Sequence, residues 1–277
     1  MSSDPTPHPL LAGKRILVTG VADEHSIATQ VARQAASLGA QVVVSAFPRD
    51  LDGARHVSGA MDGVVGVEPA DMTSREDLER LERAIVERWG ALDGAVHAVA
   101  FAPRAALASV LEAGPSDVEM AFRTSVWSYA ALARVVSACA PPEGGALVGL
   151  DFDSSRAWPV YNWMGPCKAA LRSLNGYLAR DLGPAGIRAN LVAAGPLATR
   201  AAGGIPEFDR LIESWERQAP MAWDPTDAGA VAGAVCFLLS DMAAMITGEV
   251  VHVDGGAHAM ATWLRPPAPE REPLVAD

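Results

Sequence analysis

Leu150-Asp151-Phe152-Asp153 and, a short loop later, Tyr161-Asn162-Trp163-Met164-Gly165-Pro166-Cys167-Lys168 form the stretch that decides how this chain is read. The apolar run at residues 146–151 predicts a β-strand, and a helix is predicted from about Tyr161. In an open α/β sheet, ligands sit at the carboxyl ends of the strands. Tyr161 and Lys168 are separated by nearly two helical turns, so a helix here sets both side chains on one face. An ammonium near a phenol favours negative charge on the phenol oxygen, which suits a proton relay or oxyanion stabilisation. The chain has only two lysines, Lys14 and Lys168, and three tyrosines, Tyr129, Tyr161 and Tyr177. A lysine kept among so many arginines offers a compact, rotatable ammonium. The spacing alone is met equally well by an interfacial aromatic and a solvated cation.

Outward from this stretch, strands alternate with helices. Residues 14–19 (KRILVT) read as a strand closed by Gly20 and followed by Val21. An apolar pattern at helical spacing then runs from Ser26, a plausible N-cap, to Gly39. Strand, glycine turn and helix N-terminus make a Rossmann-type first unit that offers N–H groups to a pyrophosphate. Only Gly20 remains of the G-x-G-x-x-G fingerprint, so a plain βα connection fits the turn as well. Residues 41–45 are the second strand, ending near Phe47, Pro48 and Arg49. No acid stands at its tip to take an adenosine ribose. Phe47 suits either adenine stacking or packing.

Residues 64–68 form a third strand before Ala70-Asp71-Met72. Asp71 suits either an adenine amine or a solvated turn. Thr73-Ser74-Arg75-Glu76 resembles a capping box opening a helix to about Trp89. Residues 94–99 are the fourth strand, with His97 read as a packed core histidine. A single helical stretch is expected at residues 116–139, a sixth strand at 187–193, a helix at 227–239 and a last strand at 250–253. Residues 200–218 read as a loop and short helix able to act as a lid. The pattern specifies a single-domain α/β fold: a doubly wound parallel sheet of seven strands with helices on both faces. The folded domain is expected at residues 12–263, with a flexible segment at 1–11 and a disordered tail at 264–277.

Composition narrows the function classes. Half of the 277 residues are hydrophobic and a fifth are charged, which suits buried parallel strands. A net charge of -11 argues against nucleic-acid binding. No apolar run is long enough to span a membrane, and residues 1–11 lack the features of a signal peptide. Three cysteines without paired spacing read as buried free thiols in a reducing cytoplasm. The six histidines are scattered without ligand spacing, so no metal is implied.

Several segments together resemble the enoyl-acyl-carrier-protein reductases, a divergent branch of the short-chain dehydrogenase/reductase superfamily, most of all the mycobacterial and actinobacterial form. They are Gly20 with Ser26-Ile27-Ala28, Ala70-Asp71-Met72, residues 97–103, residues 151–156, Tyr161-Asn162-Trp163-Met164 with Lys168, residues 190–196 with Thr199, and Asp254-Gly255-Gly256-Ala257-His258. Together they span residues 13–259. Ketone-reducing members use Tyr-x-x-x-Lys and a serine thirteen residues before the tyrosine; here those positions hold Gly165 and Val148.

The resemblance implies roles residue by residue. NADH lies across the strand ends, with NADPH a second choice. Gly20, Val21, Ser26 and Ile27 hold the pyrophosphate side, and Phe47, Asp71 and Met72 surround the adenosine. Ala98, Val99, Ala100 and Thr124 line the middle. Lys168 meets the nicotinamide ribose, and Gly195, Leu197 and Thr199 meet the nicotinamide or the phosphates. Hydride passes to C3 of a trans-2-enoyl thioester, and Tyr161 stabilises the enolate. Phe101 and Phe152 contact the substrate, Phe152 standing where many relatives carry a second tyrosine.

Ala98 replaces the family's usual serine and Ala100 its glycine, at a cost of about 1 kcal/mol in cofactor binding. The segment between Thr199 and Pro220 is shorter than in the mycobacterial enzyme, which implies short or medium acyl chains. Acyl-carrier protein as the substrate's bearer, fatty-acid synthesis as the pathway and a homotetrameric assembly are likewise implied. Arg200, Arg210 and Arg217 suit either an acidic carrier or a solvated face. Two further readings are a pathway-specific C=C reductase of specialised metabolism on the same fold and a non-catalytic dinucleotide-binding scaffold.

Overall fold

The computed structural model describes residues 9–261. The expected tail at 264–277 lies outside them, as do residues 1–8 of the expected N-terminal segment. Leu11 is fully buried and its N–H donates to Leu38 O at 2.9 Å, so the folded domain begins before residue 12.

Seven strands are formed by the apolar runs: β1 (Arg15–Thr19), β2 (Gln41–Ala46), β3 (Val64–Pro69), β4 (Gly94–His97), β5 (Gly145–Asp151), β6 (Ile187–Ala194) and β7 (Val250–Val253). They pair in the order β3-β2-β1-β4-β5-β6-β7, and every ladder is parallel. A parallel sheet needs a crossover between strands, and the helices supply it. All strand C-termini therefore share one edge. The chain winds outward from β1 to β3 and then returns to β4. The crevice between β1 and β4 is thus the topological switch point, where ligands bind in such sheets.

Strand alternation sends successive side chains to opposite faces. Ile16, Val18, Val42 and Val44 meet one face, with α1 (Ile27–Ser37), α2 (Leu51–Ser58) and α9 (Gly229–Leu239). Leu17 and Val43 meet the other, with α3 (Arg75–Trp89), α6 (Ser128–Cys139) and α7 (Met164–Leu182). A third apolar cluster sits at the strand ends. It joins α4 (Arg104–Ala108), α5 (Pro115–Phe122), the start of α7 and α8 (Phe208–Gln218).

Local chemistry explains the helix ends. Ser26 caps α1 as expected, its Oγ accepting from Thr29 N at 3.1 Å, and Gly39 follows the helix at φ 92°. For α3 the cap falls one residue later than the capping box predicts. Ser74 Oγ accepts from Asp77 N, and Asp77 turns its carboxylate to Asp71 N instead. The helical stretch expected at 116–139 is continuous from residue 115, with a π-helical segment, Arg123–Trp127, set between α5 and α6. Cys139, Cys167 and Cys236 are buried and free. No described helix is long and apolar enough to cross a membrane.

Candidate active site

The parallel sheet gathers the expected residues onto its C-terminal edge. Gly20 and Val21 follow β1, and Phe47 follows β2. Asp71 and Met72 follow β3, and Ala98, Val99, Ala100 and Phe101 follow β4. Phe152 follows β5, and Gly195, Leu197 and Thr199 follow β6. Thr124 lies in the π-helical segment. Ser125 Oγ bonds Phe101 N and Phe101 O, both at 3.1 Å, and so ties that segment to the loop after β4.

Tyr161 reaches the site by a route the sequence does not show. It precedes α7 instead of opening it, so the phenol and Lys168 do not share a helix face. It sits in a tight turn between Val160 at φ 59° and Asn162 at φ 38°. Valine is rarely held in the left-handed region, which costs about 1–3 kcal/mol. The turn is strapped to the C-terminal end of α4: Asn162 Nδ2 donates to Leu107 O at 2.6 Å, Trp163 N to Ala106 O at 3.2 Å and Trp163 Nε1 to Val110 O at 3.0 Å. The first two donors satisfy carbonyls that the end of the helix leaves unpaired, and the third holds the chain just beyond it. Helix and turn thus fix each other.

Lys168, on α7, is buried, and its Nζ donates to Leu150 O at 2.8 Å, just before the end of β5. Burial lowers its pKa, opposed by the charge of Asp151. Burial above all, and Asp151 next, push the Tyr161 phenol well above its ordinary range. Tyr161 therefore stays protonated, a hydrogen-bond donor. Its ring lies 4.6 Å from that of Phe152.

Asp151 carries no role in the sequence reading. Its carboxyl is buried and pushed up to about 6 by desolvation, with Lys168 opposing. Neither oxygen has a hydrogen-bond partner; the Phe152 N–H is near enough to favour the anion but lies outside bonding geometry. Such an orphaned acceptor at the ligand edge fits a group that brings hydroxyl or amide donors.

Other features fit a dinucleotide. A Cβ on Gly20, at φ 83°, would stand 2.3 Å from Ala98 O, so only glycine lets the β1 turn cross the end of β4. The first N–H groups of α1 beyond its cap have no acceptor within the helix. Phe47 is half exposed, with the Arg49 guanidinium 5.1 Å over one face of its ring. Ser26 Oγ is engaged as the cap of α1, with Thr29 and Asp23 O. Asp71 Oδ1 accepts from Thr73 N and Thr73 Oγ1, so one carboxylate oxygen is used locally. Met72 is buried in the core. His97 is fully buried as expected, its Nε2 2.8 Å from Ser128 Oγ.

The segment expected as a lid, a short turn at Ala202–Gly204 followed by α8, packs through Leu211 and Trp215 into the apolar cluster that holds Tyr161 and Phe152. A depression of about 370 Å³ opens there beside Thr199, Gly203, Ile205 and Phe208; Tyr161, Phe152 and Lys168 do not line it. The arginines singled out on this segment are all engaged with acids. Arg200 Nη2 bonds Asp50 at 2.6 Å with Asp23 at 3.4 Å, Arg210 pairs with Glu207 and Arg217 with Glu213.

Residues 20–258 match the family model described as enoyl-(acyl carrier protein) reductase. The enoyl-[acyl-carrier-protein] reductase [NADH] of Mycolicibacterium smegmatis is 38% identical over 263 residues, covering 90% of this chain and 97% of that protein. The enzyme of the same name from Mycobacterium avium is 39% identical over 265 residues. The enoyl-[acyl-carrier-protein] reductase [NADH] FabI of Aquifex aeolicus is 37% identical over 259 residues, covering 92% of this chain and 95% of its own. With this match along nearly its whole length and a seven-stranded parallel sheet in the order β3-β2-β1-β4-β5-β6-β7, this chain belongs to the enoyl-(acyl carrier protein) reductase family.

Proposed function

We propose that this chain reduces the trans-2 double bond of enoyl thioesters, carried on acyl-carrier protein, in fatty-acid synthesis. One observation carries the reading beyond family membership. Tyr161 is a buried phenol held in its protonated form, fixed by a strained turn beside Phe152. A neutral donor fixed in a dry site stabilises negative charge that develops on a thioester oxygen. Bound NADH supplies the hydride that reaches C3.

The chain's own residues do the rest. Tyr161 donates to the carbonyl oxygen as it becomes an enolate oxygen. Lys168, anchored on Leu150 O, keeps further N–H donors for a ribose hydroxyl. Gly20 and the α1 N-terminus hold the pyrophosphate, and Gly195, Leu197 and Thr199 the nicotinamide end. Phe152 and Phe101 shape the thioester site. The relatives' names specify NADH, and NADPH is the second choice because Arg49 stands near the end of β2. A cytoplasmic homotetramer is the assembly we expect, and light scattering of the purified protein tests it.

The activity is tested by following NADH absorbance with trans-2-enoyl thioesters. Wild type should turn over saturably. Tyr161→Phe should lose about 10²–10³ in kcat, the usual size of a lost oxyanion donor. A Tyr161→Phe protein as fast as wild type would remove the mechanism.

A further inference from the structure

An indole wall stands beside Tyr161, built from residues to which the sequence reading gave no role. The Phe152 ring touches Tyr161 on one side at 4.6 Å. It then meets Trp215 at 5.4 Å and Trp158 at 5.8 Å, and the two indoles lie 4.6 Å apart. Both are fastened through their N–H groups. Trp158 Nε1 donates to Asp153 O at 2.6 Å and Trp215 Nε1 to Asp254 O at 2.8 Å. Trp215 is fully buried and anchors α8. A Cβ on Gly195 would come within 2.9 Å of its Nε1, so the indole is seated hard against the end of β6. Arg156 lies 5.7 Å over the Trp158 ring and donates to the carbonyls of His258 and Met260. The loop after β5, the lid helix and the chain after β7 thus converge on one rigid aromatic stack.

We propose that the Trp158–Trp215 stack is the end wall of the acyl site and sets the longest chain the protein accepts. This rests on the enoyl-thioester reading of the site. A thioester whose carbonyl meets Tyr161 runs its acyl chain past Phe152, and the two indoles occupy the space beyond that ring. Short chains stop before the wall; long chains must displace a stack held by two hydrogen bonds and a cation. Trp158 is the tunable half, because it is only partly buried and sits on a loop, whereas Trp215 anchors a helix. Replacing Trp158 by alanine opens room for a few methylenes. Each newly buried methylene is worth about fourfold in transition-state binding.

The experiment compares kcat/KM for crotonyl, octenoyl and dodecenoyl thioesters in wild type, Trp158→Ala and Trp158→Phe. Wild type should favour the shorter two. Trp158→Ala should raise the dodecenoyl-to-crotonyl ratio at least tenfold, with Trp158→Phe in between. Calorimetry with the saturated dodecanoyl thioester, which is not turned over, should show the same order of affinities. A ratio unchanged in both variants while crotonyl is still reduced would overturn the wall and leave the reductase reading standing. A wild type that already prefers dodecenoyl would also overturn it. No turnover of any thioester by wild type would remove the reading beneath the proposal, and the proposal with it. If Trp158→Ala does not fold, Trp158→Phe and wild type still decide the question by their ratios.

Discussion

In the proposed mechanism, Asn162 helps to fix the aim of Tyr161. Its side chain gives Leu107 O its hydrogen bond at 2.6 Å, and its backbone sits at φ 38°. Two separable costs follow from replacing it. Losing the bond costs about 1 kcal/mol, and more if the carbonyl is left dry. Putting a Cβ without a polar tip into the left-handed region costs about 1–2 kcal/mol. Asn162→Gly meets only the first cost; Asn162→Ala meets both. Urea unfolding should therefore place Asn162→Gly about 1 kcal/mol below wild type and Asn162→Ala about 2–3 kcal/mol below it. Tyr161 is the adjacent residue, and a displacement of about 1 Å at a reacting group can cost about 10²-fold. Both variants should lose ten- to a hundredfold in kcat on an enoyl thioester, with little change in NADH binding. Either of two results would refute the reasoning. If Asn162→Ala is as stable as Asn162→Gly, the left-handed turn carries no strain there. If both variants are destabilised yet keep wild-type kcat, the strap to α4 does not aim the phenol.

Three further outcomes are expected. His97 is held down to about 3 by desolvation and by Lys168, whereas an unfolded imidazole titrates near 6.5. The unfolded chain therefore binds the proton first, and the stability present above pH 6.5 is lost as pH falls toward 3. Ser128 keeps Thr124 O as a partner, so His97→Phe should remove about 3 kcal/mol of the loss between pH 6.5 and 4; equally steep acid unfolding would count against this. Asp151 has the opposite sign. Its carboxyl titrates at about 6 when folded, so its ionisation destabilises the fold as pH rises from about 4 to 6. Asp151→Asn should gain about 2–3 kcal/mol at pH 8 relative to pH 4, and parallel pH–stability curves would refute that. Arg200 bridges the lid to the loops after β1 and β2, as an exposed group worth under about 1 kcal/mol in stability. Arg200→Met should leave the urea midpoint nearly unchanged but speed NADH release up to about fivefold in stopped-flow fluorescence; an unaltered release rate with the same salt dependence would show that the bridge is not a latch.

Apolar runs such as VVV at 42–44 and LVGL at 147–150 have few ways to be buried, so the strands and their parallel order were legible. So was the edge on which the candidate residues gather, because every βα unit delivers its loop to the same side. What was hidden depends on contacts distant in sequence or on unusual backbone. The short helix α2 contains Gly53, a poor helix former, kept because a Cβ there would stand 2.3 Å from Ala22 O. The π-helical segment at 123–127 lies within one unbroken apolar periodicity. No propensity places Val160 at positive φ, so the turn before α7 read as helix and Tyr161 was set one turn too far along. The indole stack joins residues 158 and 215 through the fold alone.

Burial pushes four titratable groups at the edge of the sheet toward their neutral forms. The Tyr161 phenol and the Asp151 carboxyl go up, and the Lys168 ammonium and the His97 imidazole go down. Tyr161 shows what this achieves. A phenol tuned to give up its proton near neutral pH would be partly ionised and would repel the anion forming beside it. One pushed upward remains a donor at every working pH, and the dry surroundings strengthen its bond to a developing oxyanion. In the proposed mechanism Lys168 need not take a proton. It serves there as a fixed donor, and the bond to Leu150 O fixes it. Arginine would serve poorly there, because its planar fork cannot sit on one carbonyl while turning its other donors freely toward a ligand. A site of this kind depends on position more than on matched acidities, which is why the strained turn at Val160 and Asn162 is kept beside the phenol it aims.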